Sequence, residues 1–319
     1  MSAKPSILVI KLSALGDFVQ ALGPFAAIRA HHKEARIILL TTRPFAEFAS
    51  TSPYFDDVWI DTRPKPWDVA GIMGLRKLLR GVKFSMVYDL QTSDRSSSYF
   101  HLMGDPPWSG IARGCSHPHA NPDRDHLHTV DRQAEQLEFA GVPTPPAPDL
   151  SWVTADVARF HLPERFVLFV PGGAPHRPEK QWPAARYIEL ADRLAKRKIS
   201  SVVLGTAQDA QQIDAIIDGA SSAMSLADQT TLADIAVIAR RAYAAIGNDT
   251  GPMHLVAAAG CPSVVLFSAD SDPALCAPRG AVEIIRRDDL ATLDVEPILA
   301  ALAGGPAAIG GFGDANLHR

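Results

Sequence analysis

Cysteine is scarce in this chain of 319 residues. Cys115, Cys261 and Cys276 are the whole supply, without CxxC spacing and with one left over, which excludes a disulfide framework and a zinc module. A reducing cytoplasm is the compartment that this usage predicts. Long hydrophobic runs are also lacking. The apolar run near the N-terminus is too short for a signal segment, and nothing approaches the roughly 18 apolar residues that span a bilayer. The expectation is a chain neither exported nor membrane-spanning, with room for peripheral contact at a membrane surface. Nor is there an excess of one charge: 31 Lys and Arg against 35 Asp and Glu leave a net charge of -4, with no global drive toward nucleic acid. What is present, 47% hydrophobic and 21% charged residues with Gly and Pro dispersed, is globular composition at about twice a typical domain length. Two domains are expected.

Short apolar runs alternate with amphipathic stretches. Strands are expected at 7–12, 36–40, 58–60 and 85–90, with helical segments at 18–31 and 69–79 between them, the order of a parallel sheet covered on both faces. The pattern weakens from Gly104 to Leu150, where one helix is expected at 131–140 and the Pro-rich GVPTPPAPDL reads as a linker. Alternation then resumes, with strands at 166–170, 201–204, 243–246 and 263–267 and helices at 184–196, 208–217, 232–241 and 253–259. The reading is α/β, with two doubly wound, Rossmann-like domains at 1–150 and 151–303 and a Gly-rich, frayed tail at 304–319. Ligands of such sheets bind beyond the carboxyl ends of the strands, which predicts a functional cleft between the domains.

Three loops carry chemistry. In Lys11-Leu12-Ser13-Ala14-Leu15-Gly16-Asp17, neither a dinucleotide nor a P-loop fingerprint is present, and two readings of Asp17 stand: a helix cap, which Ser13 could equally supply, or a carboxylate placed as a general base. In Ile246-Gly247-Asn248-Asp249-Thr250-Gly251-Pro252-Met253-His254, Pro252 near a helix start and the preceding Asp249, Thr250 and Gly251 suit either an anion site, with His254 one turn inside, or an ordinary capped helix. In the third, Gly172 and Gly173 follow a buried strand and permit close backbone approach, while Lys180 reads as a phosphate partner or as a solvated loop lysine. Trp182-Pro183 beyond it fits a hydrophobic staple. The polar run after Gln91, with Ser93 and Arg95, either binds an acceptor or caps a helix. His117, His119, His126 and His128 read as solvated loop histidines rather than metal ligands.

Taken together these loops resemble glycosyltransferase family 9, the ADP-heptose:lipopolysaccharide heptosyltransferases. ILVIKLSALGDFVQALGPFAAIR looks like its N-terminal signature, and EKQWP and IGNDTGPMHLVAAAGCPSVVLF like its C-terminal ones, in the right order over roughly residues 6–302. The resemblance implies the GT-B architecture, with the acceptor held by the first domain and a nucleotide sugar by the second, and an inverting, metal-independent reaction without cofactor. It puts Asp17 at the general base, Lys180 at the donor phosphates, and Asp249, Thr250, Gly251 and His254 in the donor loop, with Gly172 and Gly173 beside them. Ser13, Gln91, Ser93 and Arg95 are the acceptor-side candidates. The implied partners are an ADP-sugar and a lipopolysaccharide-core or related glycan acceptor, with no nucleic acid, at the cytoplasmic face of the inner membrane. The chain departs from the family pattern at Ala174-Pro175-His176, where relatives often carry a Ser/Thr pair. It also departs after Val202-Val203-Leu204-Gly205, where Thr206-Ala207-Gln208-Asp209 offers no clean equivalent of a ribose-binding acid. Two other readings of the same architecture stand beside this one: a nucleotide-sugar epimerase or hydrolase, and a non-catalytic nucleotide-sugar-binding protein.

Overall fold

A computed structural model describes residues 4–173 and 181–304. The chain divides into two compact units, Met1–Trp152 and Val153–Arg319. In the first, six parallel strands, β1 Ser6–Ile10, β2 Arg36–Thr41, β3 Asp57–Ile60, β4 Phe84–Asp89, β5 Trp108–Gly110 and β6 His117–Pro118, lie in the order β3-β2-β1-β4-β5-β6. Helices α1 Leu15–Gln20, α2 Leu22–His31, α3 Arg43–Ser50, α4 Val69–Arg80, α5 Asp94–Met103 and α6 Thr129–Phe139 connect or cover them. Leu8, Ile10, Ile38, Leu40 and Val87 project from the sheet onto Leu75, Leu79, Tyr99 and Phe100 of α4 and α5, which explains the unbroken apolar runs of the central strands.

The single helix expected at 18–31 is two helices meeting at Ala21. Pro24 is the reason: it has no N–H to donate to the Gln20 carbonyl, and its ring crowds that position. The expected linker is also corrected. It lies as a strap on the first unit, with Leu150 3% exposed and the Asp149 carbonyl accepting from Tyr54 Oη at 3.3 Å and from Trp152 Nε1 at 2.9 Å. Gly23 has no room for a Cβ because the Pro146 carbonyl sits against it.

The second unit repeats the plan. Strands β7 Phe166–Val170, β8 Ser200–Val203, β9 Ala223–Ser225, β10 Ala244–Asn248, β11 Ser263–Phe267 and β12 Val282–Arg286 are parallel in the order β12-β11-β10-β7-β8-β9. Around them lie α7 Ala184–Ala195, α8 Ala210–Gly219, α9 Leu232–Arg241, α10 Gly251–Ala258, α11 Pro273–Cys276 and α12 Glu296–Gly304. Val167, Phe169, Ile246 and Leu266 meet Tyr187, Leu190 and Leu194 of α7 and Ile298 of α12 in its core. In each unit the strand order reverses beside the first strand, between β1 and β4 and between β7 and β10. A crevice therefore opens at the carboxyl ends of those two pairs.

Candidate active site

At the switch point of the first unit, the loop after β1 lies against the loop after β4. Gln91 Oε1 accepts the N–H groups of Leu12 at 2.8 Å and Ser13 at 3.0 Å, so the side chain expected on the acceptor holds the Asp17 loop in shape. Asp17 is the third residue of α1, half-buried, and its Oδ2 accepts the Ala14 N–H at 3.3 Å. It thus serves the helix start while remaining partly open to solvent. Ser13 does not cap; its Oγ accepts from Arg63 Nη2 at 3.4 Å. Ser93 is the N-cap of α5, its Oγ accepting the Ser96 N–H at 3.2 Å, which is the capping alternative of the sequence reading. Arg95 donates to the Pro64 carbonyl at 3.2 Å, and Tyr99 Oη donates to Asp61 Oδ2 at 2.6 Å, tying the 61–64 loop to α5.

Beneath Asp17 lie two charged residues that the sequence reading did not single out. Lys11 is 3% exposed, donates Nζ to the Leu90 carbonyl at 3.1 Å, and is coupled electrostatically to Asp17 and Asp89. Burial pulls its ammonium below the usual range, while the two carboxylates pull the other way. Asp89, fully buried, has its carboxyl pushed up to about 6 by burial, against hydrogen bonds from Ser96 and the N–H groups of Thr92 and Gln91 and the nearby Lys11 charge. The available signal was a charged residue directly after each buried strand, Lys11 after β1 and Asp89 ending β4. Two arginines are coupled to these groups: Arg132 is felt by Lys11, and Arg124 feels Asp89. Nε and Nη2 of Arg124 are buried without a partner among the described residues.

In the second unit, β10 runs directly through Asp249 into α10, with Thr250 as N-cap. The Thr250 hydroxyl does not cap. Its Oγ1 is buried and lacks a hydrogen-bond partner among the described residues, an arrangement that costs free energy unless something else fills it. Pro252 lies in the first turn, Gly251 opens the helix, and His254 is 6% exposed inside it. The neighbouring loop after β7 is pinned by Asn248, whose Nδ2 donates to the carbonyls of Pro171 at 2.7 Å and Gly172 at 3.2 Å while Oδ1 accepts the Trp182 N–H at 3.0 Å. Asn248 is therefore the residue that ties the glycine loop and Trp182 to the end of β10, just before α10. A Cβ on Gly247 would lie 2.7 Å from the Met253 sulfur and from Val170 Cβ, so the crossing of β10 past β7 requires glycine there.

Asp209 completes the crevice: its Oδ1 accepts the Gly173 N–H at 3.4 Å, and a Cβ on Gly172 would lie 2.7 Å from it. A cavity of about 540 Å³ adjoins, lined by Trp182, Gln208, Asp209, Gln212 and Asp289. Trp182 is fully buried, with Nε1 donating to the Leu293 carbonyl at 2.8 Å, a core anchor rather than a surface staple. Lys180 lies outside the described residues.

No group of three or more His, Cys, Asp or Glu among the described residues is arranged to hold a metal ion. The histidines at 117–128 have separate surroundings. His119 is buried, contrary to the expected solvated loop residue, with Nε2 2.6 Å from Glu135 Oε2, and His128 Nδ1 accepts the Val130 N–H at the start of α6. Among the described residues no helix is long and apolar enough to cross a membrane.

Known proteins share this arrangement. Over 290 residues the chain is 24% identical to lipopolysaccharide heptosyltransferase 1 of Pseudomonas aeruginosa, covering 82% of this chain and 78% of that one. Over 108 residues it is 32% identical to lipopolysaccharide heptosyltransferase 2 of Salmonella typhimurium, a match that spans only 32% of this chain and 31% of that relative. Among solved structures, a glycosyltransferase of family 9 from Veillonella parvula superposes with a TM-score of 0.83 at 19% identity, covering 93% of this chain and 96% of that one. The E. coli heptosyltransferase WaaC solved with ADP superposes with a TM-score of 0.75 at 19% identity, covering 93% and 98%. These likenesses establish the two-domain GT-B fold. Residues 72–291, more than half of the sequence, match the profile of glycosyltransferase family 9 (heptosyltransferase), and the chain belongs to that family.

Proposed function

We propose that this protein transfers a sugar, heptose, from an ADP-sugar to a lipopolysaccharide-core or related glycan acceptor, with inversion and without a metal ion. The first domain holds the acceptor and the second the donor. The observation that carries the reading is the buried Thr250 hydroxyl at the start of α10, without a hydrogen-bond partner among the described residues, beside a glycine loop that Asn248 ties down. A diphosphate there would accept from Thr250, from first-turn N–H groups at the positive end of α10, and from Lys180. Asp249, Gly251 and His254 shape that loop.

In the first domain, Asp17 takes the proton of the acceptor hydroxyl as that oxygen bonds to the anomeric carbon. The bond from that carbon to the diphosphate oxygen breaks on the opposite face, and the departing ADP carries the electron pair into the donor loop. Lys11 beneath Asp17 is coupled electrostatically to that carboxylate. Arg63, Arg95, Arg124 and Arg132 suit an acceptor bearing carboxylate or phosphate, with Ser13, Gln91 and Ser93 at its edge.

Incubation with ADP-heptose and a heptose-deficient lipopolysaccharide core tests this. The expected product carries the new linkage with inverted anomeric configuration by NMR, and forms equally in EDTA. Rapid consumption of ADP-heptose without acceptor would favour the epimerase or hydrolase reading. Binding without turnover under any acceptor would remove the enzyme reading.

A further inference from the structure

Apart from Arg63, placed above beside the acceptor, segment 62–83 of the first domain forms a surface that the catalytic reading leaves unused. Six large apolar side chains are exposed among the described residues, and the three most exposed fall within one short stretch: Trp67 at 75%, Val69 at 69% and Met73 at 53%. Val69 and Met73 are one turn apart on α4, and Lys77 and Arg80 continue the same outer stripe, while Leu75 and Leu79 face the core. Beside it a shallow apolar groove runs between α4 and β3, lined by Trp59, Leu78 and Val82 with Lys77 at its rim.

This stretch is held rather than loose. Pro64 is buried and receives Arg95, Asp68 caps α4 through the Gly71 N–H at 2.8 Å, and Lys65 Nζ lies 5.3 Å from the Trp67 ring. Trp67 is thus presented outward by a fixed turn.

Charge identifies what would cover it. Segment 62–83 contains Arg63, Lys65, Arg76, Lys77, Arg80 and Lys83 against Asp68 alone, on a chain whose net charge is -4. None of the six forms an ion pair with a described carboxylate. An indole next to cations, with a valine and a methionine on the same helix face, matches the interfacial zone of a bilayer: apolar groups enter the acyl boundary while the cations meet anionic headgroups. We propose that segment 62–83 docks this protein on an anionic phospholipid surface, with Trp67, Val69 and Met73 inserted. The inference does not depend on sugar transfer.

Co-sedimentation of the full chain with vesicles of phosphatidylethanolamine and phosphatidylglycerol, against phosphatidylcholine alone, tests it. Wild type is expected to bind the anionic vesicles and to release them as salt is raised. The pair Trp67→Ser with Met73→Gln, and separately Arg76→Glu with Lys77→Glu, should each lower the partition coefficient by about tenfold or more. Phe139→Ser, at an exposed aromatic of the same domain away from this segment, should bind as wild type does. All variants should stay folded, with urea midpoints close to wild type, because Trp67, Met73, Lys77 and Phe139 are exposed and Arg76 is half-exposed. Equal partitioning of wild type and both double variants would overturn the proposal, as would absence of wild-type binding. A wild-type dimer by sedimentation equilibrium that the Trp67 variant loses would overturn it in favour of self-association, and equally tight binding to polyglutamate would overturn it in favour of an acidic protein partner.

Discussion

The Asp17 carboxylate accepts the Ala14 N–H and is still half-exposed, so the proposed base role would be added to a structural one. Asp17→Asn separates them: the amide oxygen can still accept that N–H, but the side chain cannot take a proton. Transfer is expected to fall by roughly 10²- to 10⁴-fold while ADP affinity stays near wild type. Steady-state kinetics with calorimetric titration of ADP check this, and transfer within threefold of wild type would remove Asp17 from the base role. Thr250 offers a complementary case. Because its hydroxyl makes no cap and has no described partner, Thr250→Val should leave the urea midpoint unchanged or slightly raised, yet weaken ADP by about two- to twelvefold, the worth of one hydrogen bond of roughly 0.5–1.5 kcal/mol. Lys180→Ala should weaken it further, tenfold or more, since a charge-assisted bond is stronger. Thr250→Val that lowers stability but not ADP affinity would make Thr250 an ordinary helix cap.

At the scale of elements, hydrophobic pattern located the central strands, because β1, β2, β7 and β11 are buried on both faces and write themselves as runs of Val, Ile, Leu and Phe, while β4 and β10 are apolar stretches of mixed residues. The edge strand β3 was legible at 58–60, but one edge of each sheet was not: β6 is the dipeptide His117–Pro118 and β9 is three half-buried residues, both too short to show a period. Of the candidate site, the loops were legible and their roles only in part. Gln91 and Asn248 act by hydrogen bonds to backbone groups on other loops, and such partners leave no local pattern. The Pro-rich strap shows the same limit, since its composition marks a linker while its packing is set by Gly23 on α2. Gly23→Ala places a methyl against the Pro146 carbonyl, a backbone atom that cannot rotate away. A destabilisation of about 1–3 kcal/mol is expected from such overpacking, measured by urea unfolding. An unchanged midpoint would mean that the strap lifts from α2 at no cost.

At the scale of the molecule, the two units have the same strand order but unlike switch points. The first gathers a carboxylate near the buried, electrostatically coupled Lys11 and Asp89; the second offers a helix start, a glycine loop and a Thr250 hydroxyl with no partner among the described residues. The fold alone would allow either crevice to take a nucleotide. Residue chemistry separates them: the second offers the N-terminal end of α10 and the Thr250 hydroxyl to a diphosphate, with Asp209 already accepting the Gly173 and Thr206 N–H groups, whereas the first centres on the half-exposed Asp17 carboxylate. ADP alone should therefore slow amide hydrogen exchange in peptides covering 166–173 and 244–258, and leave those covering 7–17 and 84–95 at their ligand-free rates. The physical basis is mass action: a ligand that binds only the closed form of a loop lowers the population of its open form in proportion to ligand over Kd. Adding an acceptor analogue with a free phosphate should then protect 11–17 and 89–95. Protection by ADP of 7–17 and 84–95, with none at 166–173 and 244–258, would reverse the assignment of donor and acceptor to the two domains.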